Sequence, residues 1–511
     1  MIIDRRSFLA GTAMGVLALN FPARAAAGSG GIIDVAMIGE PPTLDPMMST
    51  ADLVGTITQH IFETLFTFDG EWKTVPMLAA EMPAISDGGK AYDVKLREGV
   101  KFHDGSPMTS ADVVASLQRW LAVAGRGKQA AAYVSGVEAN GDNAIKITMK
   151  EPWAPLLALL AFNNSAAVVL PKGKLAEPLT EFVGTGPYKL VEHKPDQYIQ
   201  LARFEDYAAR EEAASGYGGK REPIFDEIRF VPVPDPNTRV AGVVSGQYVF
   251  ADLLPTEAYG QLDGASGVKP LILEPFGNPS IVMNMKAGIL SNKKMRHAVQ
   301  AALDPNDMML AAFGDEKFFK VDGALYPENY VWHTEGGVER YGAADAEKAA
   351  ALMKEAGYDG SPIRILTSRQ YEFHYKIAQV MVAYLQAAGF KTDMQVSDWA
   401  TLTTRRQDPS LWDIFITHGP FVPEPALIGS MSDSYPGWWV SDEKQKAVSA
   451  FNAEPDPDKR VALFPEVQRV FYDDAPLYKV GNFNALSAAS ASLENLTVVP
   501  WPFFWNTSRK G

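Results

Sequence analysis

Residues 345–396 read DAEKAAALMKEAGYDGSPIRILTSRQYEFHYKIAQVMVAYLQAAGFKTDMQV. The spacing predicts a helix from Asp345 to Ala356 stopped by Gly357, then a strand from Ile363 to Leu366. A second helix from Tyr371 to Ala388 stops at Gly389, and a second strand runs from Thr392 to Val396. Glycine ends a helix because it accepts the left-handed backbone beyond the last turn without a Cβ clash. Helices alternating with strands imply a mainly parallel sheet covered by helices, an α/β domain.

Working outward, strands are expected at residues 228–233 and 280–285, after a turn-rich stretch that ends in Gly184-Thr185-Gly186-Pro187-Tyr188. That pentapeptide reads as a domain junction. Farther upstream, Tyr92-Asp93-Val94-Lys95-Leu96 alternates as a half-buried strand does. Thr109 and Asp112 have capping-box spacing and open a helix expected to end near Leu121. Leu53, Ile57, Ile61 and Leu65 predict one apolar stripe on a helix. At 511 residues the chain exceeds a single core, and a usual size of about 150 residues implies roughly three domains.

The composition, 47% hydrophobic and 21% charged, excludes a disordered or collagen-like chain. A formal charge of −14 argues against nucleic acid as a partner, because a phosphate backbone is bound by clustered lysine and arginine. The chain has no cysteine, which removes disulfides, thiolate metal sites, a cysteine nucleophile and a lipidated cysteine anchor. Asp4-Arg5-Arg6-Ser7-Phe8-Leu9, a weakly apolar stretch from Ala10 to Phe21 and small residues from Ala23 to Ala27 resemble a twin-arginine signal peptide. Residues 1–27 are therefore expected to be cleaved on export. Beyond them the longest apolar run is short, Leu156 to Phe162, against the roughly 18 residues that span a bilayer. The mature protein is expected to be soluble and not membrane-embedded.

Enzyme motifs fail one by one. There is no Gly-x-Ser-x-Gly elbow and no phosphate-cradling Gly-x-x-x-x-Gly-Lys-Ser/Thr, and Gly184-Thr185-Gly186 lacks the third glycine of a dinucleotide site. The seven histidines, at 60, 103, 193, 297, 333, 374 and 418, never take metal-site spacing. No catalytic residue, metal or cofactor is expected. Carboxylate pairs such as Asp473-Asp474 do not define a glycosidase, which depends on spatial separation. Aromatic rings gather near turns in the last third: Trp399, Trp412, Phe421, Tyr435, Trp438, Trp439, Trp501 and Trp505. Such rings bury large area at low entropic cost and suit a cleft that grips a ligand without transforming it. Trp412, Trp501 and Trp505 read as core packing, whereas Tyr435, Trp438 and Trp439, beside Pro436 and Gly437, fit either a core or a cleft.

The longest distinctive stretch is Tyr92-Asp93-Val94-Lys95-Leu96-Arg97-Glu98-Gly99-Val100-Lys101-Phe102-His103-Asp104-Gly105-Ser106-Pro107-Met108-Thr109, with Asp112-Val113 and Ser116. It closely resembles the signature of the periplasmic solute-binding proteins that serve peptide and nickel ABC importers, the extracellular solute-binding protein family 5 type. Pro42-Thr43-Leu44-Asp45-Pro46, the 184–188 pentapeptide, Met295-Arg296-His297-Ala298-Val299 and Ala356-Gly357-Tyr358 follow in the family's order. The resemblance implies a two-lobed α/β periplasmic-binding-protein fold with an extra inserted domain, the lobes joined by two crossover strands. Residues 28–55, 179–276 and 481–511 would form lobe I, 56–178 the inserted domain and 277–480 lobe II. Residues 92–116 then belong to the inserted domain as scaffold. Lobes of this kind close about a hinge around their ligand.

The implied function is capture of a small-molecule solute, peptide or opine-like, in the periplasm of a Gram-negative cell and its delivery to an inner-membrane ABC permease, by a monomer without enzymatic activity. A sensor partner of a membrane receptor and an exported hydrolase stay open as alternatives. For the ligand site, the resemblance implies Trp399 for stacking and Arg406 for a ligand carboxylate, though Arg406 suits a surface ion pair equally. Glu40, Asn278, His418, Tyr435, Trp438 and Trp439 are further candidates. Peptide binders carry an aspartate for the ligand's ammonium after the strand Asp413-Ile414-Phe415-Ile416, where this chain has Phe421 or Val422. A buried ammonium without a counter-charge is costly, so either Glu424 substitutes or the ligand is not a free-amino peptide. Phe421 would then face an apolar or quaternary-ammonium group.

Overall fold

A mixed sheet of twelve strands runs through the molecule, a computed structural model that describes residues 30–369 and 371–510. The expected signal peptide, residues 1–27, lies outside the described residues. At one end of the sheet stand Tyr188–Lys194, Tyr198–Arg203, Glu227–Pro232, Ile32–Met37 and Phe250–Leu254, the strands of the first lobe. At the other end stand Ile414–Pro420, Ile363–Ser368 and Thr392–Ser397, those of the second. Two strands lie between and serve both, Val268–Met283 and Asn482–Ser490. Val268 to Leu273 pairs antiparallel with Ser490 to Ala485, the register shifts before Gly277, and Gly277 to Met283 then pairs with Pro420 to Ile414.

In the second lobe the predicted alternation is present with ends moved by one or two residues: helices Ala346–Glu355 and Glu372–Ala387, strands Ile363–Ser368 and Thr392–Ser397. Asp345 caps the first helix by accepting from the Lys348 amide at 2.8 Å, and Gly357 and Gly389 take positive φ at the stops. Ile363–Ser368 is parallel to both neighbours, and so is Ile32–Met37. The joins to the two shared strands are antiparallel, so the sheet is mixed rather than mainly parallel. The strand expected at 280–285 is the end of one of 16 residues. Pro270, Pro275, Gly277 and Pro279 interrupt its pattern, and prolines inside an apolar run read as breaks.

A separate four-stranded antiparallel sheet, Ala84–Ser86, Ala91–Lys95, Ala144–Met149 and Val134–Ala139, carries the helix Ser110–Val123. This is the inserted domain. The capping box forms as expected, with the Thr109 amide donating to Asp112 Oδ2 at 2.9 Å, and the helix runs two residues past Leu121.

One predicted helix is cut short. Asp52–Thr58 ends before Ile61 and Leu65, because the His60 and Ile61 carbonyls accept from the Tyr188 and Gly186 amides at 3.0 and 2.9 Å. A Cβ at Gly184 would lie 2.1 Å from the Ile61 oxygen. The pentapeptide is thus a strip that docks on the helix end, and its glycines permit the approach.

Apolar packing is divided. One core holds Val35, Ile57, Leu117 and Phe504 of the first lobe and inserted domain; another holds Ile281, Ile365, Ile377 and Ile416 of the second lobe. The loop after Pro420 is pinned by Glu424, whose carboxylate accepts from Arg460 Nη1 at 2.8 Å and Nη2 at 2.6 Å with both side chains buried. No helix among the described residues is long and apolar enough to cross a membrane.

Gly184→Ala is expected to destabilise the protein by about 1–3 kcal/mol, the usual range for forced overpacking, measured by urea denaturation. Glu424→Gln leaves Arg460 buried without its counter-charge and should cost about 3–5 kcal/mol. An unchanged urea midpoint for Glu424→Gln would mean that the pair does not hold the loop.

Candidate functional site

Where the shared strand Val268–Met283 meets Ile414–Pro420, the molecule encloses a cavity of about 520 Å³. Small-molecule sites span roughly 300–1,000 Å³. Its walls come from three parts of the chain: Arg126 and Gln129 on the helix Gly125–Ala131, Asn278 and Ser280 on the shared strand, and His418, Phe421, Ser430, Tyr435 and Lys479 from the second lobe. Asn278 sits opposite Gly419 in the antiparallel register. The described residues that line the cavity include no aspartate or glutamate. A second cavity, about 740 Å³, shares Gln129 and residues 427–429 with the first, so this short segment stands between the two spaces.

Of the candidates named from sequence, Asn278, His418, Phe421 and Tyr435 are on the cavity wall. His418 Nδ1 lies 2.9 Å from Nε2 of the buried His374. Burial lowers the pKa of His418 to about 4. Burial, with the neighbouring His418, lowers His374 to about 2, so both rings are neutral at pH 7. Phe421 is wedged between Trp72 and Tyr330, with ring centroids at 4.9 and 5.2 Å.

Trp399 and Arg406 are not among the wall residues; they form a layer behind it. The helix Trp399–Arg405 is capped by Asp398, which accepts from the Thr401 amide. Its first residue packs on Tyr371 and His374, with ring centroids at 5.1 and 5.5 Å. The Arg406 guanidinium lies 5.4 Å from the Phe415 ring, 5.8 Å from Trp399 and 6.0 Å from Tyr435. No ion pair to Arg406 is present among the described residues, and its Nε is buried without a hydrogen-bond partner.

The remaining candidates sit elsewhere. Glu40 is tied to the first lobe's hairpin, accepting from the Asp196 amide at 3.2 Å with His193 Nε2 at 2.5 Å. Glu424 is not free to pair with a ligand's ammonium, because both its oxygens are held by Arg460. Trp439 is 2% exposed and donates from Nε1 to Asp474 at 2.8 Å, a core role. Trp438 stacks on Trp412 at 5.7 Å and faces a different cavity with Lys286 and Arg296. Trp412, Trp501 and Trp505 are buried in apolar cores, as expected.

Sequence reading missed Arg126 and Lys479. The signal for Lys479 was available, a lone cation inside the apolar run Leu477 to Val480. Arg126 sits among Gly125, Gly127 and Lys128 and resembles any solvated turn. Among the described residues no three histidine, aspartate or glutamate side chains are placed to hold a metal ion.

Comparison with known proteins agrees with this architecture. The profile of the bacterial extracellular solute-binding proteins, family 5 (middle region) matches residues 73–434. The probable peptide ABC transporter periplasmic-binding protein y4tO of Sinorhizobium fredii is 28% identical over the full length of both chains. Among solved structures, the periplasmic binding protein DppA of Helicobacter pylori, in complex with the peptide STSA, superposes with a TM-score of 0.76 at 20% identity, covering 95% of this chain and 99% of its own. The binding protein AgaA of A. tumefacien R10, in complex with agropinic acid, gives 0.73 at 23% identity, covering 94% and 99%. The chain belongs to the bacterial extracellular solute-binding proteins of family 5, the substrate-binding components of ABC importers.

Proposed function

We propose that this protein is a soluble, monomeric periplasmic receptor, exported through the twin-arginine route, that captures one small solute in the cavity beside Asn278 and hands it unaltered to an inner-membrane ABC permease. The observation that carries the reading is the composition of the cavity wall: the inserted domain, a strand shared by both lobes and the second lobe all contribute to one space of about 520 Å³. A ligand there touches parts that have separate cores, so it stabilises their approach and is released when they part. Asn278, His418, Phe421 and Tyr435 contact the ligand in this reading. Trp399 and Arg406 position two of them, Trp399 through His374 behind His418, and Arg406 beneath the Tyr435 ring. The solute is peptide-like or opine-like, in keeping with the peptide in y4tO's name and the agropinic acid bound to AgaA. A free α-ammonium finds no carboxylate on the described wall, which favours the opine-like class.

A bound solute should raise the melting temperature, since a ligand that binds only the folded state adds about 2.7 kcal/mol at one hundred times its Kd. Thermal-shift screening over peptides, N-acylated peptides, opine-type conjugates, sugars and betaines tests this directly. Tyr435→Ala should weaken the binding of any hit by tenfold or more, while Glu40→Gln should leave it unchanged. Equal affinity of wild type and Tyr435→Ala by calorimetry would place the site elsewhere.

A further inference from the structure

The net charge of the chain is −14, yet both ionised side chains lining the cavity are cations, Arg126 and Lys479. Lys479 is 2% exposed and faces Ser280 across the sheet. Its Nζ donates to the Ala324 carbonyl, and no carboxylate lies within ion-pair distance of it among the described residues. Asp322 is the acid whose charge acts on Lys479, and it accepts from Asn482 Nδ2 at 3.2 Å and from the Ala324 amide at 2.9 Å. Arg126 donates from Nε and Nη2 to Asn164 at 3.1 and 3.3 Å, and its guanidinium covers the Phe162 ring at 4.6 Å. Asn164 bridges Arg126 to Asp52, donating to it at 3.4 Å, and Asp52 is the acid whose charge acts on Arg126. Burial lowers Lys479 to about 8 and Arg126 to about 10. The buried Lys479 and the half-buried Arg126 each call for a counter-charge, and the described wall offers no carboxylate.

The neutral polar groups of the wall point the same way. The Tyr326 hydroxyl and Ser430 Oγ are buried without a partner, and both residues line the cavity. His374 Nδ1 is also buried without a partner. Orphaned buried N–H groups are rarer than orphaned acceptors, so the hydrogen-bond pattern assigns the His374 proton to Nε2, donating to His418 Nδ1. The His418 proton is then on Nε2, a further donor at the wall.

We infer that the cavity takes an anionic solute, one that bears carboxylates and lacks a free ammonium, with Lys479 and Arg126 as its counter-charges. This rests on the capture reading above and narrows it to a ligand class. An arginine holds a carboxylate by two parallel hydrogen bonds and a lysine by a point charge, so two carboxylates on one small molecule fit the two cations.

The test uses the full mature chain and matched pairs in which each carboxylate compound is set beside its primary amide: N-acylated amino acids, N-acylated dipeptides and aliphatic dicarboxylic acids, with free-amino dipeptides as the cationic comparison. Calorimetry should show the acids binding at least about tenfold more tightly than their amides, the effect of one charge-assisted contact. Lys479→Met and Arg126→Gln should each weaken the best acid by about tenfold or more and leave its amide nearly unchanged. If Lys479→Met fails to fold, Arg126→Gln carries the comparison alone. Equal losses for acid and amide would reduce the two residues to scaffold and overturn the inference. Tight binding of amides or free-amino cations would also overturn it while sparing the capture reading; no binding by any member of the panel would sink both.

Discussion

Strand Val268–Met283 gains a further neighbour along its second half, and the cavity lies where that neighbour joins. Its first part pairs with Asn482–Ser490, and its second part with both Ile414–Pro420 and Leu477–Lys479. A strand of 16 residues reaches about 50 Å, long enough to belong to two bodies at once. The register with Asn482–Ser490 shifts between Leu273 and Gly277, Gly277 pairs with both Phe483 and Pro420, and Gly277 and Asn278 line the cavity at that point. Each side has its own main apolar core, with Val422 and Leu427 of the second lobe packed into the first. The strand therefore ties Asn278 and Ser280 of the cavity wall to the second lobe's ladder.

Charge is segregated around this cavity. Acids close to it are engaged elsewhere: Glu424 by Arg460, Asp322 by Asn482 and a backbone amide, Asp52 by Trp501 and Asn164. The cations of the wall have only neutral acceptors, a backbone carbonyl for Lys479 and Asn164 for Arg126. In a low-dielectric space such an imbalance acts more strongly than the −14 spread over the outer surface, which water and salt screen. Ligand preference is decided by the few groups on the wall, and the overall charge says little about it.

The parts of the fold that were legible in sequence are those whose cause is local. Asp345 caps, Gly357 and Gly389 stop, and the apolar spacing between them repeats, so the 345–396 alternation was readable almost to the residue. The same holds for the Thr109 and Asp112 box. Reading failed where a distant segment intervened. The stripe through Ile61 and Leu65 is real, since both are buried, but Gly186 and Tyr188 claim the carbonyls that a continuing helix would use. At the site, residue type was visible and partner was not. Glu424 and Trp439 are as acidic and aromatic as a ligand residue should be, and both are consumed by internal partners.

By itself the sequence determined the family and the α/β alternation, because short-range spacing and residue chemistry are written along the chain. Tertiary structure alone decided which side chains face the cavity and which are spent on one another. The physical reason is that burial and pairing are set by contacts across long sequence separations, such as Arg460 with Glu424 or Lys479 with Ala324, whose register depends on how the shared strands bring two lobes together.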